Sequence, residues 1–300
     1  MHPGIKLRHL RLFLDILTEG SLTAAARRQG ITQPAASRSL AELETLLGQP
    51  LFLRQGRDLT LTPEGAIFAR HARTGLQSLD SAAASMGGSQ RQGRLRVGVL
   101  PTAMTRLFPA AALRFHALRP EVLISVRSGP QDYLLRQLQD GALDMLIGRM
   151  PSGAEMSALR FDHLYDDPVV LVMRAGHPLT DAPVTRVLTE APLILPPEGA
   201  VIRAMVDAYL TSLGLTRRPA FETATLTLGR ALVQGSDAVW FISRAVVLDD
   251  LTAGRLQALP LGAAYLAGAV GATRRAAALA TGPELDLLCD LLRSEPQASG

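Results

Sequence analysis

The stretch from Ser21 to Leu47, SLTAAARRQGITQPAASRSLAELETLL, decides the fold of the N-terminal part of the chain. Ser21 is a favoured helix N-cap, and Gly30 follows where a glycine can end a helix with a positive φ. Thr32 is a second N-cap residue, and Pro34 lies in the first turn of the helix that it opens, where a missing N–H does no harm. The stretch therefore predicts two helices joined by a tight turn.

The second of these helices has an apolar face and a polar surface near its N-terminus. The apolar stripe, at helical spacing, consists of Ala36, Leu40, Leu43 and Leu47. Gln33, Ser37 and Arg38 lie off that stripe, and their side chains are suited to base edges in a DNA groove. The spacing alone leaves open an ordinary helical hairpin with a polar outer face, because helix-turn-helix patterns occur often by chance.

The flanking segments favour the DNA-binding interpretation. An upstream apolar stripe, long enough for a third helix, is formed by Leu7, Leu10, Phe13, Leu14 and Leu17. Downstream, residues 50–62 (PLFLRQGRDLTLT) predict two short strands about a turn, which together form a wing. Arg54 and Arg57 lie near that turn and are suited to phosphate contact.

Helix, helix-turn-helix and wing in this order resemble the DNA-binding domain of the LysR-type transcriptional regulators. The resemblance is carried by LRHLRLFLDI (7–16), GSLTAAARRQGITQPAASRSLAELETLLGQPLFLR (20–54) and LTPEGAIF (61–68). It implies an all-α winged helix-turn-helix domain over residues 1–63 that binds a palindromic site in double-stranded DNA. The residues expected at base edges are Gln33, Pro34, Ser37 and Arg38, and those expected at phosphates are Thr32, Arg54 and Arg57.

The charge distribution agrees with this expectation. Residues 1–96 carry 13 arginine or lysine side chains against 7 acidic ones, a net charge of +6. The remaining residues carry 18 against 20, a net charge of −2. The excess positive charge thus lies in the segment expected to meet DNA.

A long helix with a small-residue seam is predicted after the wing. Thr62, Pro63 and Glu64 are typical of a helix start. Spacings of three and four residues then relate Ala69, Ala72, Leu76, Leu79, Ala83 and Met86. We expect residues 64–90 to form a linker helix that pairs two subunits, so that the protein is a dimer or tetramer. The alternative is a helix packed on its own domain. Residues 86–93, MGGSQRQG, are expected to be a flexible hinge.

From Arg94 the predicted strands and helices alternate, which indicates an α/β domain with a mainly parallel sheet. The first unit comprises a strand at 95–100, a helix at 102–118 and a buried strand, LDMLIG, at 143–148. The pattern resembles the effector domain of LysR regulators, a periplasmic-binding-protein-like pair of lobes. That resemblance implies an effector-binding domain over residues 94–300, with lobe I at about 94–166 and 268–300 and lobe II at about 167–267.

Ligands of such folds bind between the lobes, where strand carboxyl ends and helix N-termini offer free N–H groups to anions. The candidate contacts are Thr102, Met104, Ser128 and Arg149 in lobe I, and Pro197, Glu198 and Thr225 in lobe II. The hydroxyls of Thr102, Ser128 and Thr225 are suited to a carboxylate. Each residue alone is more often a helix N-cap, and it is their coincidence at equivalent places in the fold that favours a site.

Two charged candidates have alternatives of their own. Arg149 could pair with an anionic ligand or be a solvated surface arginine. Glu198 would oppose a carboxylate, and could instead pair with Arg203 or accept a ligand hydroxyl. A further charge pair, Asp166 and Asp167, is interpreted as part of a solvated loop.

Four segments, GRLRVGVLPTA, LDMLIGRM, RAGHPL and LILPPEG, are most similar to the LysR branch that contains the protocatechuate-catabolism and galactose-binding-protein regulators. This branch implies a small organic acid or a sugar from a catabolic pathway as the effector. The chain departs from it at Ser243, where the branch often has proline, so ligand contacts are not carried over there.

Other classes of function have less support. No GxSxG, HExxH, P-loop or helix-opening GxGxxG motif is present, so no catalytic residue and no enzyme activity are expected. Cys289 is the sole cysteine and the histidines are scattered, so no metal and no cofactor are expected. Without a signal-like or 18-residue apolar stretch, we expect no membrane segment and a cytoplasmic protein. A solute-binding protein of the same two-lobed fold is the alternative, and it would not explain the basic winged domain.

Overall fold

The structure is a computed structural model that describes residues 3–55, 58–86, 93–156, 158–276 and 282–295. The chain divides into two compact units, Met1–Arg91 with Gln139–Ala142, and Gln92–Leu138 with Leu143–Gly300.

The N-terminal unit has the predicted order of helices and strands. Its elements are α1 (Leu7–Glu19), α2 (Leu22–Arg28), α3 (Gln33–Leu47), β1 (Phe52–Gln55), β2 (Asp58–Leu61) and α4 (Pro63–Met86). The side chain of Ser21 accepts a hydrogen bond from Ala24 N, and that of Thr32 accepts one from Ala35 N. Gly30 has φ +66°, which favours glycine and ends the first helix of the motif. Local capping therefore fixes both ends of the turn.

The core of this unit lies where α1, α2 and α3 meet beneath the wing. Phe13 is fully buried, with its ring centroid 5.4 Å from that of Phe52 and 5.2 Å from that of Phe68. The Glu44 carboxylate accepts hydrogen bonds from Leu51 N at 2.8 Å and Phe52 N at 3.2 Å. The start of the antiparallel β1–β2 pair is thus bonded directly to α3.

The seam of α4 is only partly available to a second subunit. Ala69, Ala72 and Leu76 are buried against the residues of α1. These three positions are covered within the subunit, because α1 presents an apolar surface to the same side of the helix, and the pairing of two subunits by residues 64–90 stays a prediction. Leu79 is 50% exposed, whereas the side chains of Ala83 and Met86, and the expected hinge beyond them, lie outside the described residues.

The C-terminal unit contains a mixed sheet of nine strands flanked by helices. The strands are β3 (Arg94–Val99), β4 (Leu123–Arg127), β5 (Met145–Arg149), β6 (Leu159–Arg174), β7 (Leu193–Leu195), β8 (Phe221–Glu222), β9 (Val239–Ser243), β10 (Leu256–Leu259) and β11 (Ala267–Arg275). The helices are α5 (Pro101–Met104), α6 (Leu107–Leu118), α7 (Gln131–Gln139), α8 (Val184–Glu190), α9 (Val201–Ser212), α10 (Leu226–Gly235), α11 (Arg244–Thr252) and α12 (Pro283–Ser294).

Two lobes are joined by two long antiparallel strands. The strand order is β4-β3-β5-β11-β6-β9-β7-β8, with β10 also paired to β6. Strands β3, β4 and β5 are parallel in lobe I, and β7, β8 and β9 are parallel in lobe II. Each lobe thus has three parallel strands, whereas β6 and β11 pair antiparallel with each other and with β5, β9 and β10. The sheet is therefore mixed, and the expectation of a mainly parallel sheet is wrong.

Two predicted elements differ from the structure. The helix expected at 102–118 is split into α5 and α6 at Arg106, whose φ of −134° leaves the helical region, and Pro109 has no N–H to bond back across the break to Thr105. The charge pair at Asp166 and Asp167 lies inside β6 and not in a loop. Asp166 is exposed, but Asp167 is buried because side chains on a strand alternate between its faces.

Candidate functional site

The N-terminus of α3 presents a polar surface that is open to a partner. Gln33, Pro34 and Arg38 are exposed, and Ser37 is half-buried. Thr32 is exposed while its hydroxyl caps the helix. The structure therefore places the four residues expected at base edges on one turn and a half of a single helix, opposite the buried stripe that begins at Ala36.

Within the described residues, Arg38 has no ion-pair partner. Among the described residues no acidic side chain or carbonyl pairs with its guanidinium. By contrast, Arg28 on α2 is bound by Asp15 at 3.1 Å and Glu19 at 2.8 Å. A free guanidinium can donate to a base edge or a phosphate without first breaking an ion pair.

The arginines expected to contact phosphates from the wing are Arg54 and Arg57. The side chain of Arg54 and the whole of Arg57 lie outside the described residues. Their assignment to phosphate contact remains a prediction from the sequence.

His9 lies beneath this surface, between α1 and α3. Its Nδ1 accepts a hydrogen bond from Lys6 N at 3.4 Å, and its Nε2 is 3.5 Å from Glu42 Oε2. The side chain is fully buried, and burial lowers its pKa against the opposing effect of Glu42. The neutral form of His9 is thus favoured at the contact between α1 and the recognition helix α3.

In the C-terminal unit, the pairing registers bring the strand carboxyl ends of both lobes to the same place. Arg149 at the end of β5 is paired with Val270, which is paired with Tyr165 on β6. Ser243 at the end of β9 is paired with Val169 on β6. The parallel strands of lobe I and lobe II therefore end facing one another across the segment Tyr165–Val169, which is the floor of the interlobe region.

Three strand ends of lobe I carry buried polar atoms that lack hydrogen-bond partners among the described residues. They are the Thr102 hydroxyl after β3, Gln131 Oε1 after β4, and Nε and Nη1 of Arg149 on β5. Thr102 is 7% exposed and Arg149 is 4% exposed. Because β4, β3 and β5 are adjacent in the sheet, these atoms lie along one edge. Unsatisfied buried polar atoms are costly, so this edge is suited to a polar ligand.

Arg149 is neither a surface arginine nor an unpaired cation. Its Nη2 donates to the Asp167 carbonyl at 2.9 Å, to Asp167 Oδ2 at 3.3 Å and to Ser243 Oγ at 3.1 Å. Burial lowers the pKa of the guanidinium and raises the pKa of the Asp167 carboxyl, while the opposite charges oppose both shifts. The solvated-surface alternative is wrong, and the charge of Arg149 is balanced within the protein.

The helix-capping alternative does not describe the candidate hydroxyls. Thr102 lies within the first turn of α5, and its hydroxyl has no hydrogen-bond partner in the part of the chain that the structure describes. Thr225 is the N-cap residue of α10 but makes no side-chain capping bond. Ser128, after β4, is exposed. All three hydroxyls are therefore available for other partners.

The remaining candidates lie farther from the floor. Pro197, half-buried, and Glu198, exposed, follow β7, and Thr225 follows β8, the two strands of lobe II most distant from β6. Arg203 is held by Asp207 and Glu222 and not by Glu198. Met104 packs against the core of lobe I and offers an apolar wall.

Sequence reasoning missed Asp167, Tyr165, Ser243 and Gln131. Tyr165 donates from its hydroxyl to the Thr102 carbonyl at 3.0 Å. Two adjacent acidic residues before the apolar run PVVLV were a usable signal for Asp167, because strand alternation buries one of the two and a buried carboxylate requires a partner.

Neither a metal-ion cluster nor a membrane-spanning helix occurs within the described ranges. They contain no group of three or more His, Cys, Asp or Glu side chains placed to hold a metal ion. None of the helices there has the length and apolar character needed to span a membrane.

The fold and these two regions define a DNA-binding protein with a separate two-lobed ligand-binding unit. Residues 7–66 match the model of the bacterial regulatory helix-turn-helix protein, lysR family, and residues 88–297 match that of the LysR substrate binding domain. The chain belongs to the LysR family of transcriptional regulators, with an N-terminal DNA-binding domain and a C-terminal effector-binding domain.

Curated relatives and solved structures agree with this membership. The chain is 36% identical over 279 residues to the HTH-type transcriptional regulator PcaQ of Agrobacterium fabrum, covering 91% of this chain and 89% of the relative. It is 33% identical over 277 residues to GalR of Pseudomonas putida, covering 91% and 70%. These relatives are transcriptional regulators and not enzymes.

Two solved structures share the fold. A full-length variant of OxyR from Pseudomonas aeruginosa has a TM-score of 0.68 at 24% identity, covering 98% of this chain and 96% of that one. CbnR, a LysR family transcriptional regulator, has a TM-score of 0.59 at 19% identity, covering 96% and 98%. The solute-binding alternative is not favoured, because the helix-turn-helix match adds a DNA-binding domain.

Proposed function

We propose that this regulator reads a palindromic promoter site with Gln33, Pro34, Ser37 and Arg38, and that Thr32, Arg54 and Arg57 hold phosphates. The exposed guanidinium of Arg38, which has no ion-pair partner among the described residues, carries the proposal for the recognition helix. A forked donor of this kind at the N-terminal part of a recognition helix is suited to two acceptors of one guanine.

The effector is proposed to bind between the lobes, with Thr102, Ser128 and Arg149 on lobe I and Pro197, Glu198 and Thr225 on lobe II. Met104 contributes to the wall. The observation that supports this is the row of buried polar atoms without partners at Thr102, Gln131 and Arg149. The donors among them suit carboxylate oxygens, and the Gln131 oxygen suits a ligand hydroxyl. A small organic acid or a sugar meets both requirements.

The protein is proposed to act as a dimer or tetramer. It is also proposed to work in the cytoplasm, where its target DNA lies, and to have no enzymatic activity. An open groove of about 660 Å³ between α6 and β4 supports self-association. Its rim exposes the side chains of Leu113, Leu123 and Val126. Exposure of such an apolar surface to water is unfavourable, and contact with a second subunit would remove it.

Footprinting on the DNA upstream of the protein's own gene tests the function. The experiment is repeated with muconate, as a small dicarboxylate, and with glucose, as a sugar. A protected palindrome that shortens or moves with one compound supports both parts of the proposal. Protection that neither compound changes supports DNA reading and counts against those two effectors. Absence of protection at low salt contradicts the proposed DNA role.

A further inference from the structure

Arg149, Asp167 and Ser243 form a buried polar cluster that spans the junction of the lobes. Arg149 ends β5 of lobe I, Asp167 lies in the middle of β6, and Ser243 ends β9 of lobe II. Asp167 is 2% exposed and Ser243 is 1% exposed. The cluster is therefore buried, and it connects β5 of lobe I with β9 of lobe II through the crossing strand β6.

The Asp167 carboxylate bonds to both lobes at once. Its Oδ2 accepts from Arg149 of lobe I, and its Oδ1 accepts from Ala245 N at 3.1 Å. Ala245 lies in the first turn of α11, where free N–H groups and the helix dipole favour a negative charge. A change in the angle between the lobes would separate this carboxylate from one of its two partners.

Gly268 on β11 makes the cluster possible. Strand β11 lies between β5 and β6, so the arginine must pass over it to reach Asp167. Gly268 is the residue paired with Asp167, and a Cβ built there would overlap Nη1 of Arg149. The absence of a side chain at this one position lets the guanidinium cross the strand.

The cluster is also bonded to the candidate effector site. Tyr165, two residues before Asp167, donates to the Thr102 carbonyl. Thr105, just after α5, donates from its hydroxyl to the Ala245 carbonyl at 3.0 Å. The short helix α5 that carries Thr102 is therefore tied both to the crossing strand and to the start of α11.

We propose that Asp167 and Ser243 are positioning residues that hold Arg149 in an interlobe clasp, and that this clasp fixes the arrangement of the two lobes. A compound bound at Thr102 changes the lobe arrangement through the two bonds of α5. The connection through α5 rests on the proposed effector site, whereas the clasp itself does not.

Distances between labels on the two lobes test the clasp. Cysteines are introduced by Asp290→Cys on α12 and Glu190→Cys on α8, both exposed, in a Cys289→Ala background, and carry spin labels. Labelled full-length protein is diluted into unlabelled protein so that only distances within one chain are measured. The variants are Ser243→Ala, which keeps the ion pair, and Arg149→Met with Asp167→Asn, which leaves no unpaired charge.

A matched control removes a buried carboxylate that lies wholly within lobe II. Asp250 on α11 is 2% exposed and binds Arg230 at 2.7 Å and Arg255 at 2.8 Å. The clasp variants are expected to shift the mean distance by more than about 2 Å or to widen its distribution, as lobe rearrangements do. Asp250→Asn is expected to lower stability and leave the distances unchanged. Distances in both clasp variants equal to those of the parent overturn the proposal.

Muconate and glucose, added to the same labelled proteins, test the connection to the site. A compound that changes the distances in the parent is expected to lose this effect in Thr102→Val, whose distances without the compound stay those of the parent. If neither compound acts on any variant, the proposed effector classes fail while the distances measured without them still decide the clasp. A compound that acts equally on the parent and Thr102→Val contradicts the connection through α5.

Discussion

The hydroxyl of Tyr165 donates a hydrogen bond of 3.0 Å to the carbonyl oxygen of Thr102, while the Thr102 hydroxyl itself has no partner among the described residues. A hydrogen bond from β6 thus fixes the backbone of α5, whereas the buried Thr102 hydroxyl on the same helix has no role in that contact. A structural role does not account for a threonine at this position, because valine would fill the same space without an unsatisfied oxygen.

Thr102→Val is therefore expected to leave the C-terminal unit as stable as the parent or more stable, by up to about 1 kcal/mol. Effector-dependent changes in the footprint are expected to disappear. Stability is followed by the fluorescence of Trp240, the only tryptophan, which is buried in lobe II. A variant that is markedly less stable and still responds to effector would assign Thr102 to the fold and not to the site.

Arg38→Ala is expected to weaken binding to the palindrome by ~1–3 kcal/mol and to relax the choice of base, because a bidentate contact to one base is lost. Arg28→Ala is the control, since it removes the same charge from an arginine already bound by Asp15 and Glu19. Affinities for the specific site and for random DNA are measured at one salt concentration. Equal losses on both DNAs for Arg38→Ala would show a phosphate contact and no base contact.

Leu113→Glu is expected to lower the association constant of the subunits, because it places a charge in the apolar surface around the groove of α6 and β4. Leu113 is 72% exposed, so the substitution costs the single subunit little. Gln257→Glu on β10, also exposed, adds the same charge away from the groove. Sedimentation equilibrium measures the association constants of the parent and of both variants. Equal constants for all three would mean that the subunit interface lies elsewhere.

The N-terminal unit is expected to lose stability as the pH falls below 6.5, the ordinary pKa of histidine. Burial lowers the pKa of His9 in the folded chain, so the unfolded chain takes up the proton first and is favoured as the pH falls. Lys6, Arg8 and Glu42 are the charged groups that face the ring. Hydrogen exchange of α1 and α3 amides, corrected for intrinsic rates, measures the effect in the whole protein.

His9→Asn provides the comparison for this pH dependence. The asparagine oxygen can still accept the Lys6 N–H bond but does not titrate in this range. Its protection factors are expected to change less with pH than those of the parent. An identical pH dependence in the two proteins would assign the effect to another group.

Gly268→Ala is expected to destabilise the C-terminal unit by about 1–3 kcal/mol, as overpacking in a filled interior does. The new methyl group would displace the Arg149 guanidinium from its place over β11. Gly153→Ala is the control, because a Cβ there meets no atom within 4 Å. Denaturation followed by Trp240 fluorescence compares them, and equal midpoints would mean that the arginine moves aside without loss.

Features that depend on residues close together in the sequence could be predicted, and features that depend on distant residues could not. Capping at Ser21 and Thr32 and the stripe from Ala36 are local, so the helix-turn-helix was predicted almost residue by residue. The break between α5 and α6 was missed although it is equally local, because Pro109 was not weighed against a continuous apolar pattern. Strand ends in the α/β unit were predicted well enough to place Thr102 and Arg149 at one edge of the sheet.

The partners of those residues depend on pairing between distant parts of the chain. Asp167 is buried because β11 lies beside β6 and offers Gly268 opposite it, which no local pattern shows. The burial of the α4 seam within the subunit depends on the same kind of pairing, since the apolar surface that covers Ala72 and Leu76 comes from α1. Periodicity identifies which face is buried, and the partner that buries it is set by the tertiary fold.

Pro168 on β6 and Ala267 on β11 are paired in register, so the chain enters lobe II and leaves it at two neighbouring points. Everything between them forms one continuous insert whose ends already meet. Such an insert can be exchanged between related genes by two cuts. A recombination event of that kind would replace the lobe II half of the effector site, while the DNA-binding domain and the promoter that it recognises stay the same.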